Sequence, residues 1–198
     1  MIPSRGGSPA GPDTEDGVST EGPEGGGRAL LVVDLIDDFR HEDGGRLAAV
    51  FAGRVEAIEA AIGEARRRGW PVVYCNDNDG VWDGDAPGQV RRACEEGLAR
   101  EQVSRIAPLP GDRFIVKPRW SAFDRTPLDL VLDGLGVTAV TLVGSATEMC
   151  VRETAIDARR RGLEVRVLPA ACLSVDPERE RLALRALEDL FDVEVGGR

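Results

Sequence analysis

The sequence predicts an α/β domain, a three-layer α/β/α sandwich around a doubly wound, six-stranded, mainly parallel sheet. Three observations lead there. Short apolar runs of strand length alternate with longer stretches of helical spacing from residue 28 onward. The apolar runs are nearly continuous, as in strands covered on both faces. The helical stretches carry end signals, either arginines followed by glycine or an Asp-Pro or Thr-Pro start.

Each element follows from its residues. "RALLVVDL" is the first strand, and "LAAVFAGRVEAIEAAIGEARRRG" is a helix that stops at Gly69. "WPVVYCND" is the second strand, followed by one helical stretch over about residues 88–104. "DRFIVK" is the third strand. "TPLDLVLDGLG" is a helix with Thr126 as N-cap and Pro127 at its first position. "VTAVTLVG" is the fourth strand, "EMCVRETAIDARRRG" a helix closed by Gly162, and "LEVRVLPA" the fifth strand. "DPERERLALRALEDLF" is a helix capped by Asp176, and "DVEVG" is a final short strand.

Composition narrows the function classes. The 198 residues suit one domain, assigned to residues 28–198, with a tail at 1–27. The tail is acidic and rich in Gly and Pro, with too little apolar surface to offset the entropy of ordering it, so it is expected to be disordered. A net charge of −10 argues against nucleic acid or an anionic membrane as partner. There is no apolar run long enough for a membrane span and no apolar signal segment near the first residue. The four cysteines are widely spaced and form no CxxC pair, which suits a reducing, cytoplasmic location.

In a sheet of this kind, ligands bind beyond the carboxyl ends of the strands. Three reactive residues stand there: Asp34 after the first strand, Lys117 at the end of the third, and Cys150 after the fourth. A thiol at a helix N-terminus is expected to have a lowered pKa, and a nearby ammonium lowers it further. A carboxylate within reach can take and return the thiol proton. Lys117 is the only lysine among 25 basic residues. A chain this biased to arginine is expected to keep a lysine where a compact, point-like cation is needed.

Three segments, "ALLVVDLIDDF", "FIVKPRWSAFDRTPLDLVLDGLGV" and "LVGSATEMCVRETAIDARRRGLEVRVLPAAC", together resemble the isochorismatase-like cysteine hydrolases. That superfamily includes nicotinamidases, N-carbamoylsarcosine amidases and ureidoacrylate hydrolases, and its fold is Rossmann-like. The resemblance implies an Asp34-Lys117-Cys150 triad, with Cys150 as nucleophile. It also implies a cis peptide between Ser145 and Ala146, and an oxyanion hole from the N–H groups of Ala146 and Cys150. It further implies a homo-oligomer acting on a small molecule. The nicotinamidase metal site needs histidines that this chain lacks, since His41 is its only one. No metal and no cofactor are expected.

The substrate contacts are expected from two places. In "YCNDNDGVW", Asn76, Asp77 and Asn78 offer polar contacts and Trp82 a wall, although the same residues also suit a plain polar turn. After Lys117, Trp120 and Phe123 could stack on a flat substrate or pack the loop. Three functional readings result. The first is hydrolysis of a C–N bond in a small amide, carbamoyl or ureido compound. The second is vinyl-ether C–O hydrolysis with Asp34 as acid. The third is a scaffold that binds a ligand or partner without turnover.

Overall fold

In this computed structural model of the chain, residues 27–77, 80 and 85–196 are described. The acidic segment 1–26 lies outside the described residues, as do Asn78 and Trp82. Gly27, assigned from the sequence to the tail, instead opens the first strand, where its N–H donates to Gly136 O at 3.1 Å.

Six strands form the sheet: β1 (Gly27–Val33), β2 (Val72–Asp77), β3 (Arg113–Lys117), β4 (Val137–Ser145), β5 (Glu164–Leu173) and β6 (Glu194–Val195). Their spatial order is β3-β2-β1-β4-β5-β6 and every pairing is parallel. The helices are α1 (Gly44–Arg67), α2 (Ala86–Glu96), α3 (Arg100–Ile106), α4 (Leu128–Gly134), α5 (Arg152–Arg160) and α6 (Pro177–Phe191). A π-helical turn, Thr147–Val151, precedes α5.

Alternation along β1 explains the three layers. Ala29, Leu31 and Val33 join a core with Leu128 and Leu132 of α4, Ala155 and Ala158 of α5, and Leu187 of α6. Leu30 and Val32 join a second core with Phe51 and Ile58 of α1, Ala93 of α2 and Val103 of α3. Successive side chains of a strand point to opposite faces, so a continuous apolar run feeds both cores at once.

Most element ends agree with their sequence signals. Asp176 caps α6, its carboxylate accepting from the N–H groups of Glu178 and Arg179. Thr126 Oγ1 accepts from Leu128 N–H at 3.2 Å, although α4 begins two residues later. The single stretch expected at 88–104 is two helices, broken at Gly97. Gly97 is extended there (φ −66°, ψ 156°), and a side chain on it would meet Ala93 O at 2.7 Å. Among the described residues, no helix is long and apolar enough to cross a membrane.

Candidate active site

The strand order reverses between β1 and β4, and such a reversal leaves a crevice at the carboxyl ends of the strands. β1 ends there at Val33, and Asp34 leaves the sheet with φ 47°. β4 passes very close behind. A Cβ on Gly144 would lie 2.2 Å from Val33 O, so the approach requires glycine.

Lys117, the last residue of β3, is fully buried. Its Nζ lies 2.7 Å from Asp34 Oδ2, 2.9 Å from Arg119 O and 3.7 Å from Cys150 Sγ. An ammonium has three donors, and three partners surround this one. The other Asp34 oxygen, Oδ1, accepts from Asp77 N–H at 2.8 Å. The structure therefore brings Asp34, Lys117 and Cys150 together from three separate strand ends.

Electrostatics set their protonation. Burial is the largest influence on Asp34 and raises its pKa; Lys117 pulls it down without cancelling that rise. Burial alone would lower the pKa of Lys117, but Asp34 and Cys150 outweigh it and the net shift is upward. The Cys150 thiol is pushed up to about 12, first by burial and then by the Asp34 carboxylate. This corrects the expectation of a lowered thiol pKa. Cys150 lies inside the π-helical turn rather than at the first turn of α5, and a carboxylate shares its pocket.

The peptide between Ser145 and Ala146 is cis. Ala146 O then accepts from both Met149 N–H, at 3.0 Å, and Val151 N–H, at 3.2 Å. The five-residue span of the second bond is the π turn. The helical spacing of "EMCVRETAIDARRRG" carries no sign of it.

The remaining sequence candidates separate. Asn76 is not a pocket residue: buried at 2% exposure, it accepts from Ile36 N–H at 3.3 Å and donates to Ile36 O at 2.8 Å. It ties the loop after β1 to β2. Phe123 is also not in the pocket. It is 3% exposed in the core, with the Arg161 guanidinium 4.5 Å above its ring. Asp77 and Trp120 line a cavity of about 610 Å³ together with Arg119, Glu153, Asp157 and Arg160; Asp34, Lys117 and Cys150 are not among its lining residues, and Pro118, next to Lys117 in the chain, is. Glu153, Asp157 and Arg160 were missed from the sequence. They follow Cys150 at helical spacing, and that periodicity was the available signal. Among the described residues, no group of three or more His, Cys, Asp or Glu is arranged to hold a metal ion.

Residues 28–195 match the family model of the isochorismatase domain. An uncharacterised isochorismatase family protein of Bacillus subtilis is 32% identical over 169 residues, 85% of this chain and 92% of its own. The ureidoacrylate amidohydrolase of Methylobacterium radiotolerans is 40% identical over 192 residues, 82% of this chain and 73% of its own. Two solved structures are similar. The nicotinamidase of Staphylococcus aureus has a TM-score of 0.66 at 26% identity, covering 85% of this chain and 98% of that one. The N-carbamoylsarcosine amidase of Thermoplasma acidophilum has a TM-score of 0.65 at 28% identity, covering 86% and 95%. The protein is a hydrolase with a three-layer α/β/α fold. It belongs to the isochorismatase family.

Proposed function

We propose that the protein hydrolyses a C–N bond of a small amide, carbamoyl or ureido compound through a covalent acyl-enzyme on Cys150. One observation carries this reading: Lys117 Nζ bridges Asp34 Oδ2 at 2.7 Å and Cys150 Sγ at 3.7 Å. The relatives named as amidohydrolase, nicotinamidase and carbamoylsarcosine amidase support the bond type.

The resting site holds a protonated thiol beside the Asp34–Lys117 ion pair. Asp34 takes the thiol proton as sulfur attacks the carbonyl carbon, and Lys117 offsets the charge on sulfur. The raised pKa of Asp34 makes it a stronger base than an ordinary carboxylate, which narrows its mismatch with the thiol. The N–H groups of Ala146 and Cys150 receive the tetrahedral oxygen. The C–N bond breaks, and Asp34 returns its proton to the leaving nitrogen. Water, deprotonated by Asp34, then attacks the acyl-thioester; the C–S bond breaks, and Asp34 passes that proton to the leaving sulfur to restore the thiol. The scheme needs no cofactor.

Substrate recognition is assigned to the cavity bearing Asp77 and Trp120. The reading includes a homo-oligomer, on the family resemblance alone. A nucleophilic thiol, with all four cysteines unpaired, suits the cytoplasm.

The test is turnover of ureidoacrylate, N-carbamoylsarcosine and nicotinamide by the wild type and Cys150→Ala, with intact-mass detection of the acyl-enzyme. Turnover lost with the thiol supports the reading. Hydrolysis that survives Cys150→Ala overturns it in favour of acid catalysis by Asp34.

A further inference from the structure

We propose that Thr147 and Glu180 are positioning residues that fix the turn carrying Cys150, with Arg54 holding Glu180 in place. The proposal rests on Cys150 being the nucleophile. It starts from a part-buried ion pair away from the triad. Arg54 of α1 and Glu180 of α6 form a two-pronged pair, with NH1 2.7 Å from Oε1 and NH2 3.0 Å from Oε2. Arg54 NH1 also donates to Pro169 O at 3.1 Å and to Cys172 O. Pro169 lies on the part of β5, between Val167 and Cys172, where its register against β4 shifts. The arginine thus satisfies the Pro169 carbonyl of that irregular stretch.

The pair does not end on itself. Thr147 Oγ1 is 3.0 Å from Glu180 Oε1 and 3.1 Å from Leu173 O. A hydroxyl has one proton to give, and here two acceptors face it. The carboxylate is the stronger of the two because it is charged. Thr147 is fully buried and Glu180 nearly so, so neither competes with water for this contact.

Position gives the contact its meaning. Thr147 opens the π-helical turn, directly after the cis Ser145–Ala146 peptide and Ala146. Cys150 lies three residues further on. The Ala146 and Cys150 N–H groups assigned to the tetrahedral oxygen therefore flank Thr147 in one short loop. A rotation of that loop would change their aim without moving sulfur far. An ion pair whose arginine is partly open to solvent adds little net stability. Arg54–Glu180 is better understood as a strut from α1 and α6 to the floor of the site. Glu180 contacts Thr147 and touches no reacting atom.

Two small probes separate aim from reactivity. In acetaldehyde addition, a C–S bond forms and the thiol proton passes to the aldehyde oxygen. The thiohemiacetal oxygen then occupies the place of the tetrahedral oxygen. Iodoacetamide alkylation needs only the thiolate, which displaces iodide. The adduct with 13C-labelled acetaldehyde is followed by NMR in the full-length protein, with Cys150→Ser as blank, and alkylation is followed by peptide mass. Thr147→Val is expected to weaken the thiohemiacetal about 10-fold or more, with the alkylation rate of Cys150 changed about 2-fold or less, and Thr147→Ser is expected to restore it. If Thr147→Val does not fold, the same ratio is measured in Glu180→Gln. Equal loss in both probes, or loss in neither, overturns the proposal. A wild type that alkylates at Cys150 but forms no thiohemiacetal overturns it too, and leaves the nucleophile standing. A wild type silent to both probes sinks the nucleophile reading and this proposal together.

Discussion

Lys117 and Asp34 are joined by an ion pair of 2.7 Å in which the lysine is completely shielded from solvent. The two remaining donors of the ammonium reach Arg119 O and Cys150 Sγ. Three partners for three donors suit the compact head of a lysine, whereas a guanidinium is wide and planar. Lys117→Arg is expected to fold but to lose about 10²-fold in kcat/KM through misplacement alone. Lys117→Met leaves a buried carboxylate without its cation. Its stability should fall by about 3–5 kcal/mol at neutral pH. The buried Asp34 holds its proton more tightly folded than unfolded, so the deficit should shrink as pH falls and the acid neutralises. Urea titrations at two pH values measure both.

The Cys150 thiol, pushed up to about 12, should alkylate slowly near neutrality, at a rate that still climbs through pH 9 without a plateau. Both burial and the Asp34 carboxylate favour the neutral thiol, while Lys117 favours the thiolate. Asp34→Asn removes one opponent and keeps the ammonium. Its alkylation midpoint should therefore move down in pH while amide hydrolysis is lost. A midpoint that stays or rises would contradict the charge arrangement described for the site.

The acid limb of kcat/KM should follow Asp34, which must be ionised to accept the thiol proton. Its pKa is raised by burial, so activity should fall at a pH above the ordinary carboxylate range. A pH–rate profile in non-interacting buffers checks this.

Trp120 and Phe123, three residues apart, should respond in opposite ways. Trp120 is 56% exposed and lines the cavity, so Trp120→Ala should raise KM and leave Tm nearly unchanged. Phe123 belongs to the core, and Phe123→Ala should lower stability by about 3–5 kcal/mol. Steady-state kinetics and thermal melts on the two variants separate the roles.

Gly144→Ala places a methyl group 2.2 Å from Val33 O, at φ 147°. Adding overpacking and backbone strain gives a loss of about 2–6 kcal/mol. The expected outcome is poor soluble yield or a strongly lowered Tm.

Much of this was legible in the sequence. The order of strands and helices followed from apolar runs and from end signals such as Asp176-Pro177, because these are local effects. Asp34, Lys117 and Cys150 were found because the fold places strand ends together. The split roles of Trp120 and Phe123 were not legible, since an aromatic at a loop start packs or projects according to what lies above it. Asn76 has turn chemistry by composition, but its partner Ile36 is 40 positions away. The π turn and the thiol's raised pKa depend on Ala146 O and the Asp34 carboxylate in three dimensions. No spacing rule encodes them. The break at Gly97 could have been read from the glycine itself.

β3 is an edge strand of the sheet, and β2 is its single partner among the described strands. Lys117 therefore reaches toward groups on strands two and three places away, roughly 10 and 14 Å at ordinary strand spacing. The chain that supplies the cation is tethered along one side only, whereas the carboxylate and thiol hang on the central pair β1 and β4. Detachment of that margin would carry the one buried ammonium away and leave Asp34 and Cys150 behind on the central strands, with the charge balance of the pocket lost.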